Sequence, residues 1–319
     1  MSVTTHDIFG TIASVEPVAP GSYGLPPAEY RLPAATRLGR VRLQIADLAC
    51  SLAFYEATLG LRVVERERTR AALAAHGDDD VLVELQEQRG TRAAGRGLLG
   101  LYHFAILLPD RASLGRFARH LAAQHIAAGA GDHLVSEALY LKDPDGLGVE
   151  VYADRPRDTW QRVSRELMIS TDPVDIYDLV AAAGDTPWRG MPASTVIGHV
   201  HLHVGELAPG VAFFSEALGF DRMTWRYPGA LFLGAGGYHH HLGTNVWAGA
   251  GARTPSTNDA RLQEWTIEVP LADDVADVSR SLIAAGYPVD VIAADAIRTR
   301  DPWGTAVRVR AMRVSEVTR

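Results

Sequence analysis

The sequence predicts an α+β fold assembled from four copies of one unit, a strand, a helix and three further strands (βαβββ). Long-range repetition carries this expectation, and each half of the chain divides again. Residues 53–60 (AFYEATLG) return as 212–219 (AFFSEALG), an offset of 159 that also carries Asp47 onto Glu206 and Arg40 onto His199. Asp143-Pro144 matches Asp301-Pro302 at an offset of 158, and Pro109 matches Pro270 at 161. Self-similarity of this kind decides the architecture before any single element is assigned.

Unit one opens on residues 40–48, which alternate apolar and polar side chains as a strand does. Leu52, Phe54, Tyr55 and Leu59 then fall on one face of a helix, as core residues. Val81–Leu85 is a later strand of the same unit. Unit two starts at 102–109 (YHFAILLP), and beyond Asp110 a helix is marked by Leu114, Phe117, Ala118 and Leu121. Ala138–Leu141 and Val149–Tyr152 are its short closing strands. VIGHVHLHV (196–204) begins unit three and EWTIEVPL (264–271) unit four.

The expected organisation is an N-terminal arm over 1–35, a two-unit domain over 36–156, a linker or arm over 157–194, a second two-unit domain over 195–312 and a tail over 313–319. Leu167, Met168, Ile176 and Leu179 are apolar, so much of the linker is expected to pack against the domains.

Composition narrows the function. With 319 residues, 47% hydrophobic, the chain can bury a large core. A net charge of −7 with interspersed signs offers no basic stripe to displace counterions, so nucleic acid is not an expected partner. Cys50 is the only cysteine, which excludes internal disulfides and thiolate metal sites. Met1–Pro33 has neither a basic start nor an apolar run, so no signal peptide or membrane anchor is expected there, and the protein is expected in the cytoplasm. The informative surplus is the 12 histidines, most of them in tight groups.

The segment from Gly131 to Glu150 contains His133, Leu139-Tyr140, Asp143-Pro144-Asp145-Gly146 and Glu150. It resembles the signature of type I extradiol ring-cleaving dioxygenases, and four βαβββ units in one chain resemble the vicinal oxygen chelate superfamily. Similarity is greatest to bacterial two-domain catechol 2,3-dioxygenases, including the runs GLYHFAILLP, EALYLKDPDG and YHHHLGTNVW. The resemblance implies two half-open barrels, each made by paired units, and a mononuclear Fe(II) site, Mn(II) being accepted by the same donors. It implies that a catechol-type aromatic diol and O₂ are converted to a muconic semialdehyde, and a homo-oligomer is expected.

Register places the ligands. His103 lies seven residues before Asp110, and His199 seven before Glu206. The equivalent residues are Arg40 in unit one and Glu264 in unit four, while Glu150, which ends unit two, corresponds to Arg308. Only units two and three retain metal-binding side chains, so His103, Glu150 and His199 are the expected ligands, with unit two paired to unit three. The family's usual order pairs units three and four; this sequence departs from it. Units one and four would then form a metal-free barrel in which Arg40, Glu264 and Arg308 converge as a charge-paired plug.

In the run Tyr238-His239-His240-His241, comparison with the family's double-His segment selects His240 as the acid–base group. Strand alternation would turn His239 and His241 to the other face. Tyr140 is the expected hydrogen-bond partner of a substrate oxygen and His133 a residue just behind it. His201 and His203 share a strand face with His199, and with His241 they are candidate substrate contacts. Two other kinds of function fit the fold: another metal enzyme, such as a glyoxalase-like isomerase or hydroquinone dioxygenase, and a non-catalytic protein that binds aromatics or drugs.

Overall fold

The computed structural model describes residues 3–10, 15–19 and 21–313. Four βαβββ units are present. The first and last strand of each line the barrel axes and are labelled here in chain order: β1 (Arg37–Ile45) and β2 (Val81–Glu87), β3 (Gly100–Leu107) and β4 (Gly148–Asp154), β5 (Val196–His203) and β6 (Leu242–Asn245), β7 (Arg261–Val269) and β8 (Ala306–Ala311).

Units one to three change from strand to helix at a polar residue, whereas Leu271 holds that place in unit four. Asp47 accepts from the Cys50 amide at 2.8 Å and Asp110 from the Ser113 amide at 2.6 Å, satisfying helix-start donors that have no partner within the helix. Glu206 holds the same place in unit three without a side-chain cap bond. The helices after β1 and β5 end in wider turns, with Leu59 N–H bonded to Phe54 O and Leu218 N–H to Phe213 O. Tyr55, Phe213 and Phe214 are fully buried there, as core residues.

Two eight-stranded sheets result, and each draws on both halves of the chain. In one, β3 and β5 run antiparallel at the centre, flanked by β4 and β6 in parallel. In the other, β1 and β7 are antiparallel at the centre, flanked by β2 and β8. Unit two therefore pairs with unit three and unit one with unit four, as the ligand register requires. Alternation along β3 turns Phe104 and Ile106 into the main apolar core and leaves His103 and Ala105 on the concave face.

The connection after β4 packs as an arm. Its strands Gln161–Val163 and Glu166–Leu167 form a small sheet with Glu16–Pro17. Leu167, Met168 and Leu179 are buried, whereas Ile176, expected to pack, is 40% exposed at the start of the helix Ile176–Ala181. That helix crosses the helix Arg111–Ala123 so closely that a Cβ on Gly115 would stand 2.2 Å from the Leu179 carbonyl oxygen. Of the expected C-terminal tail, residues 314–319 lie outside the described residues. Among the described residues no helix is long and apolar enough to cross a membrane.

Candidate metal centre

His103 projects from β3, Glu150 from β4 and His199 from β5, and each is at most 5% exposed. One ligand atom from each falls within 4.8 Å of the others, a spacing able to surround a single ion. Glu150 Oε2 is 2.9 Å from His103 Nε2 and 3.1 Å from His199 Nε2. The first of these nitrogens makes no directional hydrogen bond despite its burial. Two ring nitrogens aimed at one carboxylate oxygen, one of them otherwise orphaned, are the arrangement a divalent cation would satisfy. Burial works against ionisation of Glu150, but His199 and His103 outweigh it and hold the carboxyl well below its usual range. Burial pushes His199 down to about 4, keeping the ring neutral as a ligand must be.

Register explains the number of donors. Glu150 sits opposite Ala105, two residues beyond His103; the same step from His199 leads to His201, which faces Gly243 on β6. Unit three thus has glycine where unit two has its carboxylate. A Cβ on Gly243 would come within 2.9 Å of the His201 ring, so the ring occupies the space a side chain would need.

The three residues open into a cavity of about 1060 Å³. His201, His203, Trp247, Phe232 and Tyr227 line one side of it. Asn245, which sequence reasoning did not single out, fixes two of these rings: its amide nitrogen is 2.9 Å from His201 Nε2 and its oxygen 2.6 Å from His203 Nδ1. The signal was available, since Asn245 lies two residues beyond Gly243 on the same strand face.

His133 and Tyr140 lie together on the wall beside Glu150. His133 Nδ1 donates to the Ser170 carbonyl at 2.5 Å, which leaves Nε2 to accept the Tyr140 hydroxyl proton, also at 2.5 Å. Burial and then Glu150 push the Tyr140 phenol well above its ordinary range, so it stays protonated.

The triple-histidine run departs from the expectation. Residues 235–241 form a turn between the strand Ala230–Gly234 and β6, so strand alternation does not govern them. His240 does line the cavity, with its ring centroid 4.1 Å from that of His199. His239 is buried behind it. His241, a candidate substrate contact, turns away from the cavity: its Nδ1 accepts from the Ala235 amide and its ring packs on Tyr238.

The second barrel also departs from expectation in its partners. Glu264 pairs with Arg298 at 2.6 Å, and Arg40 with Glu84 at 3.4 Å. Arg42 faces Glu84 across β1 and β2, as Ala105 faces Glu150, so Glu84 is unit one's counterpart of Glu150. Arg308 is influenced by both Arg40 and Glu264. The four ligand-equivalent positions thus hold Arg40, Glu84, Glu264 and Arg308, two of each sign, where three residues had been expected.

A family model described as the Glyoxalase/Bleomycin resistance protein/Dioxygenase superfamily matches residues 37–151. A Catechol-2,3-dioxygenase of Bacillus subtilis (strain 168) is 43% identical over 271 residues, 84% of this chain and 94% of its own length. Among solved structures, a putative dioxygenase from Bacillus subtilis subsp. subtilis str. 168 superposes with a TM-score of 0.59 at 14% identity, covering 89% of this chain and 86% of its own. Glyoxalase I from Zea mays gives a TM-score of 0.51 at 16% identity, covering 87% and 92%. At these identities the two structures bear on the fold alone.

Proposed function

Because the chain belongs to the glyoxalase/bleomycin resistance protein/dioxygenase (vicinal oxygen chelate) superfamily, we propose that it is an extradiol dioxygenase which opens a catechol-type ring to a muconic semialdehyde. The observation that carries this reading is a cluster of three buried candidate ligands facing a cavity, the group found among the described residues, with Gly243 where a fourth would stand. Two histidines and one carboxylate leave open positions on an octahedral ion, the pattern suited to Fe(II) oxygenases. A fourth protein ligand, as in an isomerase site, would leave too few. One carboxylate and a catecholate monoanion also balance the charge of a divalent ion in a buried pocket.

His103, Glu150 and His199 would hold Fe(II), or Mn(II), which takes the same donors. The ion would supply the electron transfer between diol and O₂ that the organic partners cannot achieve directly. The protein's own work is positional. His240 takes a hydroxyl proton from the diol, and Tyr140 hydrogen-bonds a substrate oxygen while His133 fixes its hydroxyl. His201 and His203, held by Asn245, form the side wall with Trp247. The 43% identity to a catechol 2,3-dioxygenase supports the substrate class.

The test is anaerobic iron loading followed by catechol and air. A yellow ring-opened product with consumption of O₂ is expected; no colour with any of several catechols would refute the reading in favour of an isomerase or a binding protein. Bound metal, read by elemental analysis, should fall from one per chain to near zero in His103→Ala, Glu150→Ala and His199→Ala. His240→Phe should keep its metal and lose about 10²–10⁴ in turnover, the range of a missing proton-transfer group, with Tyr140→Phe losing less.

A further inference from the structure

The ring behind His240 neither lines the cavity nor joins the ligand set. His239 is fully buried, with Nε2 2.8 Å from Asp154 Oδ1 and Nδ1 2.7 Å from His240 Nδ1. With Asp154 ionised and His239 neutral, these contacts fix the protons. An ionised carboxylate only accepts, so His239 donates from Nε2. A neutral imidazole carries one ring proton, so His239 Nδ1 accepts. His240 must therefore donate from its own Nδ1, which leaves its Nε2 lone pair free.

The remainder of the network holds this arrangement. Tyr238 donates to Asp154 Oδ1 at 3.3 Å, and its oxygen is 2.6 Å from the Tyr152 hydroxyl. Trp160 packs edge-on against His239, with ring centroids 5.3 Å apart, and Arg157 lies over Trp160 at 5.5 Å. Asp154 keeps 26% of its side chain exposed, so the chain of hydrogen bonds runs from solvent to the cavity.

We infer that Asp154 and His239 are positioning residues that act through His240, fixing the tautomer in which its Nε2 is the proton acceptor for the substrate diol. The inference rests on the acid–base reading of His240 given above. When Nε2 takes the proton, the diol O–H bond breaks, the oxygen keeps the electron pair and an N–H bond forms. The new imidazolium still donates from Nδ1 to His239, and its charge faces the Asp154 carboxylate across one ring. Without the carboxylate His239 can reverse its tautomer, and His240 then presents N–H, with no lone pair, to the substrate.

The experiment is a double-variant cycle on the iron-loaded enzyme. Asp154→Asn is expected to lower kcat about 10²-fold, with KM for catechol and iron content within about twofold of wild type. In a His240→Phe background the same change should have no further effect, because Asp154 acts only through that ring. Equal losses in both backgrounds would assign Asp154 a merely structural role and overturn the inference. Unchanged turnover in Asp154→Asn, with His240→Phe impaired, would overturn it too. If His240→Phe alone retains full turnover, the acid–base reading fails first and takes this inference with it. Should Asp154→Asn not fold, His239→Gln carries the same cycle.

Discussion

Glycine at position 243 and glutamate at position 84 hold equivalent places in two different barrels, and single side chains there set what each barrel does. Gly243 offers no donor opposite His201, leaving three candidate ligands, and gives the His201 ring its space. Gly243→Ala should drive a methyl group into that ring, lowering stability by about 1–3 kcal/mol, the usual cost of overpacking, as read from denaturant midpoints. Glu84, 3% exposed, gathers Arg40, Arg42 and Arg70 within 3.5 Å. Removing one member of a fully buried pair costs about 3–5 kcal/mol, but these arginine side chains are 27–36% exposed, so solvent screens part of the effect. Glu84→Ala should accordingly cost about 2–3 kcal/mol, and more than Glu264→Ala, which strands fewer cations. Metal content should be unaffected in both variants. The metal-ligand candidates were legible because the chemistry demands particular residue types at fixed distances from a helix start. Glu84 was not, since no helix start or turn signature stands at a fixed distance from it as Asp143-Pro144-Asp145-Gly146 does from Glu150.

Short elements were less legible. Strand alternation was expected to order His239, His240 and His241, yet Gly236 and Gly237 take positive φ and the run lies in a turn. In this turn His240 lines the cavity and His241 faces away from it. The turn has a consequence for acid stability. Burial pushes His241 down to about 3, while an unfolded histidine titrates near 6.5. Below pH 6.5 the unfolded chain binds a proton that the folded one refuses, so stability present above that pH declines as pH falls towards 3. The slope from this residue is about 1.4 kcal/mol per pH unit. His241→Asn should flatten the pH dependence of the unfolding midpoint between pH 6 and 4 by about that amount, and an unchanged slope would count against the burial described for this ring.

At the scale of the whole molecule, repetition fixed the number of units, and the ligand register fixed their partners. The packing of the arm was legible only as apolar content; that it supplies Ser170 to hold His133, and Ile169 and Thr171 to line the cavity, depends on tertiary contacts that no local pattern encodes.

The pairing of the units is nested: the barrel of units two and three lies, along the chain, wholly inside the span of the other. Its central strands join residues 105 and 199, whereas the outer barrel joins residues 41 and 265. A ribosome delivers the chain from its N-terminus, and pairing cannot begin until both strands have emerged. The inner barrel, with all its candidate ligands, can therefore close once β6 is made, while β1, already beside β2, still waits for its second partner about 220 residues downstream. Closure over the longer span also carries the larger entropic cost and sets a high contact order for the last step. Stalled nascent chains ending near residue 250 should show slow hydrogen exchange in β3 and β5 and fast exchange in β1. The order of synthesis would thus build the chamber with the candidate ligands first and leave one edge of β1 unpaired until its distant partner arrives, a stage at which folding yield is most open to aggregation.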